Sequence, residues 1–208
     1  MKKVITKKIV IDLRKNYGGL IGYAKEYLFP ALYKEKVEFS FQWSVPKSEG
    51  NRYITKDIVT CIKYNRRLKE NKYFYSYKDT FVGKESENKN VYYLVGPSTG
   101  SAADEYIAMI KENGLGTIVG ENTGGEGLGD SFVCNRLSNS SLVYVYYPSD
   151  SDSADGKSNS VYGTEPHIYI NQTLEDYKKQ QEFVKKEMEN EYSSKVEYDA
   201  VLKWVLKN

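Results

Sequence analysis

The alternation of apolar and polar residues along the chain predicts strands separated by helices. Two apolar runs, at 9–11 and 91–95, have the composition of buried strands, and the first is expected to be central in its sheet. Each run is followed by a glycine-containing turn and then by apolar residues at helical spacing, over 20–35 and 102–112. Repetition of strand, turn and helix predicts an α/β fold.

Further strands complete this prediction. A short apolar segment at 117–120 closes a β-α-β unit with the strand at 91–95. Strict alternation over 37–45 predicts a half-buried strand, and Val143 and Val145 belong to another strand. Pro30 is expected to kink or end the first helix, because proline lacks the backbone N–H that a helix interior uses.

A length of 208 residues fits one globular domain, 1–208. The charged, tyrosine-rich stretch 47–90 is interpreted as a variable insertion, with a helix at 54–70 and a loose tail to 90. The Ser/Asp/Gly-rich stretch 149–160 is expected to be a mobile loop. The tail 174–208 is predicted to be helical and to end in an apolar anchor at 201–206.

Composition excludes several classes of function. The formal charge of +2 gives no indication of a nucleic-acid partner, no apolar run is long enough to span a membrane, and the first residues do not resemble a signal peptide. Cys61 and Cys134 lie far apart and are expected to be ordinary buried thiols. With one histidine, a histidine-based metal site is almost excluded, and no cofactor is expected.

Ser101 is the first candidate for chemistry. It follows a buried strand and a glycine turn and precedes a helix, where backbone N–H groups and the helix dipole favour a developing negative charge. This is the placement of a nucleophile. Ser101 and Asp104 also match a capping box, in which the serine only satisfies the first helical turn. Local sequence leaves both interpretations open.

The pair Gly18-Gly19 is the second candidate. Two glycines between strand and helix let a backbone amide approach a ligand, so Gly19 could supply one donor of an oxyanion hole and Ala102 the other. A tight turn without chemistry explains the glycines equally well. Asp12 and Arg14 point to the same side of the strand, and an ion pair bracing the turn is the default expectation.

Five blocks together resemble the carboxy-terminal processing, or tail-specific, serine proteases and their tricorn-like relatives. In chain order they are IDLRKNYGG (11–19), VYYLVGPSTGSAAD (91–104), VGENTGG (119–125), LSNS (137–140) and GTEP (163–166). Their order and number make the resemblance specific, and they cover most of the chain outside 47–90. The resemblance implies a crotonase-like α/β superhelix of β-β-α units. Full-length relatives are often exported, which leaves the location of this chain open.

The resemblance also implies roles for the candidates. Ser101 would attack a peptide carbonyl and form an acyl-enzyme, with the N–H groups of Gly19 and Ala102 as oxyanion donors. The partner would be a peptide or protein substrate, possibly cleaved near its C-terminus and bound as an added strand. No metal or cofactor is implied.

The general base departs from the family pattern. Glu126 occupies the position at which the Ser-Lys branch of the family has its lysine base. A glutamate carboxylate is an intrinsically weak base toward a serine hydroxyl. Tricorn-like relatives take a histidine from a segment upstream of the block at 11–19. His167 is the histidine available here, although a strand-end structural role is the default, and Glu165 is either a late acidic partner or a surface carboxylate.

Two rival functions keep the same fold. One is a catalytically inactive peptide-binding module in which Ser101 is only a cap, and the glutamate at 126 favours it. The other is acyl-thioester chemistry, because crotonase-like folds also build oxyanion holes from two backbone amides. Acyl-thioester chemistry is the weakest alternative, because the five blocks match peptidases.

Overall fold

The computed structural model describes residues 8–46, 65–69, 72–84, 90–125, 131–136, 142–147, 150–152, 159–176, 178–179, 182 and 199–208. The strands in these stretches are β1 (Ile9–Asp12), β2 (Lys36–Pro46), β3 (Asn65–Lys69), β4 (Lys72–Val82), β5 (Val91–Val95), β6 (Thr117–Gly120), β7 (Ser131–Arg136), β8 (Leu142–Tyr147), β9 (Asp150–Asp152) and β10 (Ile168–Tyr169). The helices are α1 (Ile21–Tyr23), α2 (Phe29–Leu32), α3 (Ala102–Glu112), α4 (Asn159–Tyr162) and α5 (Ala200–Lys207), and a π-helical turn, Ala24–Leu28, joins α1 to α2. Residues 174–176, 178–179 and 182 are also helical, in agreement with the predicted helical tail.

A four-stranded parallel sheet in the order β1-β5-β6-β10 carries the fold. The predicted β-α-β unit is confirmed, with α3 connecting the neighbouring parallel strands β5 and β6. The expectation that 9–11 is the central strand is wrong. In the described sheet β1 is an outer strand with half-buried side chains, whereas β5 lies inside the sheet and is almost wholly buried.

Alternate residues of β5 face two separate cores, because successive side chains of a strand point to opposite sides of the sheet. Tyr93 and Val95 pack in the larger core with α3 and α2. Leu94 packs on the other side, with Val201 and Val205 of α5. The predicted apolar anchor is therefore confirmed at these two valines, while Leu206 is 49% exposed.

A second, antiparallel sheet in the order β3-β4-β2-β9 contradicts two predictions. The helix predicted over 54–70 is wrong at 65–69, which forms β3, and the loose tail is wrong at 72–82, which pairs with the whole of β2. Lys and Tyr dominate these residues, so the apolar alternation that indicates a strand is weak. The stretch 149–160 was predicted to be a mobile loop, but 150–152 form β9 and 159–160 begin α4.

Pro30 does not end the helical segment that was predicted over 20–35. It is the second residue of α2, and the helix continues to Leu32. The π-helical turn precedes it, and there the Phe29 N–H donates to the Ala24 carbonyl, five residues back. This register change comes one residue before the proline, which has no N–H to donate.

Three of the tyrosines have a structural role in the larger core. Tyr33, Tyr93 and Tyr106 are at most 5% exposed, and their hydroxyls form a chain with O–O distances of 2.9 and 3.1 Å. Each buried hydroxyl thus has a partner, which offsets its desolvation. Burial raises the pKa of Tyr33 to about 12.

Candidate active site

Three turns meet at the carboxyl edge of the parallel sheet. They follow β1 at 13–19, β5 at 96–101 and β6 at 121–125. Backbone hydrogen bonds join them. The Gly100 N–H donates to the Asn16 carbonyl over 3.1 Å, and the Ser101 N–H donates to the Gly125 carbonyl over 3.0 Å. The carboxyl edge of parallel strands is where open α/β folds place their ligands.

Thr99 fastens the three turns together. Its side-chain hydroxyl donates to the Leu13 carbonyl over 2.8 Å and accepts from the Gly96 N–H over 3.1 Å. Its backbone carbonyl accepts from the Gly124 N–H over 2.8 Å. The side chain is fully buried, so these bonds are shielded from water and the turn before Ser101 is held from both sides.

Ser101 has an unusual backbone conformation. Its φ of 50° and ψ of −130° make it the non-glycine residue with positive φ among the described residues. An L-residue in this region is strained by roughly 1–3 kcal/mol, and such strain is concentrated at functional sites. Serines on strained strand-to-helix turns of this kind present their hydroxyl above the sheet.

The capping-box interpretation of Ser101 is wrong in the described structure. The Ser101 side chain makes no capping hydrogen bond to α3. Asp104, the other residue of the box, is fully buried and instead accepts a hydrogen bond from the Thr123 hydroxyl. Burial raises the pKa of Asp104, and polar groups including the Thr123 hydroxyl oppose that shift.

Gly18 lies directly against Ser101. A Cβ placed on Gly18 would lie 2.6 Å from the Ser101 Cβ and 3.0 Å from the Ala102 nitrogen, and its φ is +104°. The Gly18 N–H donates to the Asn16 side chain over 3.0 Å. Within the described part of the chain, no acceptor is assigned to the N–H of Gly19 or of Ala102.

The expected ion pair of Asp12 and Arg14 is confirmed and extends further. Arg14 Nε and Nη2 donate to the two Asp12 oxygens over 2.9 and 2.6 Å. Nη1 and Nη2 also donate to Asp199 over 2.8 and 2.6 Å, and Asp199 caps α5 by accepting from the Leu202 N–H. Arg14 therefore fixes the turn after β1 to the C-terminal helix.

A group of ionisable side chains beside α3 was not found from the sequence. Lys25 forms an ion pair with Asp79, which is 7% exposed. Burial, with added repulsion from Asp79 and Asp104, raises the pKa of Glu105 to about 8. A carboxyl with this pKa exchanges protons near neutrality. Lys25, Asp79 and Glu105 come from the π-helical turn, β4 and α3, respectively, so no local pattern could have indicated the group.

His167 lies at the start of β10, beside the second residue of β6. The ring Nδ1 accepts the Ile118 N–H over 3.0 Å, and the backbone N–H of His167 donates to the Ile118 carbonyl over 2.9 Å. These contacts give the strand-end structural role that was the default expectation. Ser101, by contrast, follows the carboxyl end of β5.

The remaining candidate residues from the sequence are Glu165, Glu126 and Cys61. Glu165 is exposed, in agreement with a surface carboxylate, and Glu126 and Cys61 lie outside the described residues. Among the residues that the structure describes, no group of three or more His, Cys, Asp or Glu side chains could hold a metal ion. The same residues include no helix that is long and apolar enough to cross a bilayer.

His167 predicts a pH-dependent stability. The exposed ring of His167 is only partly desolvated, and this desolvation, with a smaller contribution from Lys111, lowers its pKa below the usual value. Since the folded state prefers the neutral ring, this group's contribution should be fully present above about pH 6.5 and should be lost as the pH falls through the lower folded-state pKa. NMR titration of the single histidine measures it directly.

The matched control is His167→Gln, which removes the titrating ring. We expect the unfolding free energy of this variant to vary less between pH 7 and pH 5 than that of the parent chain. A His167 pKa at or above 6.5 in the folded chain would contradict the lowering by partial desolvation and Lys111.

Most of the sequence matches a family model. The model is that of peptidase family S41, and it matches residues 1–170. The chain belongs to peptidase family S41. The matched residues include all five sequence blocks.

The mixed α/β fold with its parallel sheet is similar to the folds of several solved structures. Mature CPAF in complex with lactacystin is 18% identical with a TM-score of 0.58, covering 98% of this chain and 45% of its own. A peptidase structure from Parabacteroides merdae is 17% identical with a TM-score of 0.55, covering 83% and 48%. An S41 protease structure from Bacteroides fragilis is 16% identical with a TM-score of 0.50, covering 96% and 44%. The chain thus spans less than half the length of each.

Proposed function

We propose that the chain is the catalytic part of a serine peptidase in which Ser101 is the nucleophile. The observation that carries this proposal is the strained Ser101 backbone at the start of α3, with a side chain that makes no capping bond. Neither the strain nor the missing cap benefits the helix, whereas both suit a hydroxyl held ready for attack. Membership of peptidase family S41 supplies the reaction class.

In the proposed reaction, Ser101 Oγ forms a bond to the scissile carbonyl carbon and loses its proton to a general base. The N–H groups of Gly19 and Ala102 stabilise the resulting oxyanion, and two features support them in this role. No acceptor is assigned to either N–H in the described structure, and the neighbouring Gly18 lies against Ala102. The C–N bond then breaks, the amine leaves with a proton, and water hydrolyses the acyl-enzyme.

We infer a crotonase-like superhelix that forms one catalytic domain over 1–208. The parallel sheet with its β5-α3-β6 unit and the site at its carboxyl edge support this fold. A peptide added as a strand beside an exposed sheet edge, and cleaved near its C-terminus, is the corresponding mode of substrate binding.

Peptide hydrolysis measured against thioester hydrolysis tests this function. The chain is incubated with a defined peptide mixture and, separately, with acyl-thioesters, and the products are mapped by mass spectrometry. We expect cleaved peptide bonds with cuts near substrate C-termini, and no thioester turnover above that of the Ser101→Ala variant. Thioester turnover alone would support the rival acyl chemistry, and peptide binding without cleavage would support the inactive module.

A further inference from the structure

We propose that Asp104 and Thr123 are positioning residues for Ser101. They fasten the loop 121–125 and the segment 163–166 to the first turn of α3. This inference rests on the proposed function for its catalytic consequence, but its structural content stands on contacts among described residues. It concerns two side chains that do not themselves touch the reacting atoms.

Thr123 is the centre of the arrangement. Its hydroxyl donates to Asp104 Oδ1 and accepts from the Thr164 N–H over 2.5 Å. Its backbone N–H donates to the Thr164 carbonyl over 3.1 Å. Asp104, Thr123 and Thr164 are all at most 5% exposed, so water does not compete for these bonds. Three segments that are distant in sequence thereby share one buried polar cluster.

The cluster is connected to Ser101 through the loop that Thr123 belongs to. Two residues beyond Thr123, the Gly125 carbonyl accepts the Ser101 N–H over 3.0 Å. Between them, the Gly124 N–H donates to the carbonyl of Thr99, in the turn that precedes Ser101. A shift of Thr123 would therefore move the group that holds the Ser101 backbone. Small displacements of a nucleophile have large effects on rate.

Packing leaves this cluster little freedom. Gly163 has a φ of +62°, and a Cβ there would lie 2.1 Å from the Thr123 carbonyl oxygen and 2.7 Å from its hydroxyl. The second carboxylate oxygen, Asp104 Oδ2, is buried without a hydrogen-bond partner in the described structure. A buried carboxylic acid is a poor way to gain stability, since an apolar side chain would avoid its desolvation. Its benefit lies in the geometry that it imposes.

Amide hydrogen exchange and fluorophosphonate acylation together test the proposal. The reporters are the amides of Ser101 and Thr164, and the reference is the amide of Asn113, which bonds Met109 at the other end of α3. In Asp104→Ala, we expect the two reporters to exchange at least about tenfold faster relative to the reference, and acylation to slow by about 10- to 100-fold.

Two further variants make the test specific. Asp104→Asn keeps an oxygen that accepts from Thr123, so it should stay within about threefold of the parent chain in both measurements. Asp176 accepts a hydrogen bond from the Thr173 hydroxyl in an exposed Asp-Thr pair outside the cluster. Asp176→Ala removes that carboxylate and should change the exchange of neither reporter.

Three results would overturn the proposal. They are unchanged reporter exchange in Asp104→Ala, equal acceleration of the reporters and the reference, and failure of Asp104→Asn to rescue. A parent chain that resists acylation would refute the proposed function instead, while the exchange ratios would still decide whether Asp104 positions the loop.

Discussion

Replacing Ser101 by alanine is expected to lower peptide hydrolysis by at least about 10³-fold, because the variant has no oxygen to form the acyl-enzyme. Turnover rates with a cleaved peptide, for parent and variant at equal concentration, measure the effect. The fold should survive, because the Ser101 side chain makes no capping bond that the substitution could remove.

Ser101→Gly provides the matched control. Glycine also lacks the hydroxyl, so this variant should be equally inactive. Glycine adopts the φ of 50° without steric cost, so the unfolding free energy should exceed that of Ser101→Ala by about 1 kcal/mol. An active Ser101→Ala variant would contradict the nucleophile, and a Ser101→Gly variant no more stable than Ser101→Ala would contradict the strain.

Replacing Gly18 by alanine is expected to damage both stability and reactivity. The new Cβ would lie 2.6 Å from the Ser101 Cβ and 2.7 Å from the Gly100 carbonyl oxygen, at a φ of +104° that alanine rarely adopts. We expect the unfolding free energy to fall by about 3 kcal/mol, since steric overlap adds to the backbone strain. Denaturant unfolding measures this loss.

The acylation rate of Ser101 in folded Gly18→Ala should fall by about 100-fold, because the turn and the serine must move apart. Gly22→Ala is the control. A Cβ on this helical residue meets nothing within 4 Å, so the variant should be neutral or more stable by up to about 1 kcal/mol. If Gly18→Ala acylated as fast as Gly22→Ala, the turn after β1 would not adjoin the nucleophile.

Sequence patterns predicted the parts of the fold that depend on local information. The segment 91–120 combines a continuous apolar strand, a glycine turn and a regular helical stripe, and its three elements were predicted with the bounds that the structure gives. By contrast, β4 was missed because its partner along its whole length is β2, and its tyrosines and lysines have no clear apolar face in the sequence. Cross-strand pairing supplies the information that propensity lacks.

In the candidate site, too, local sequence predicted some features and missed those that depend on distant contacts. Ser101 was found from its place between strand and helix, but no local pattern contains its positive φ or its proximity to Gly18 and Gly125. The capping box failed because Asp104 found a partner nineteen residues away in Thr123. The bond of Arg14 to Asp199 spans 185 residues. Such contacts exist only once the turns have met.

Intact-mass analysis after treatment with a fluorophosphonate tests the central claim most directly. The folded 208-residue chain and its Ser101→Ala variant are treated in parallel, and the adduct is located by peptide mapping. The account predicts one adduct on the parent chain, carried by Ser101, and none on the variant. A folded parent chain without an adduct, or one whose adduct persists in Ser101→Ala, would contradict the assignment of Ser101 as the nucleophile.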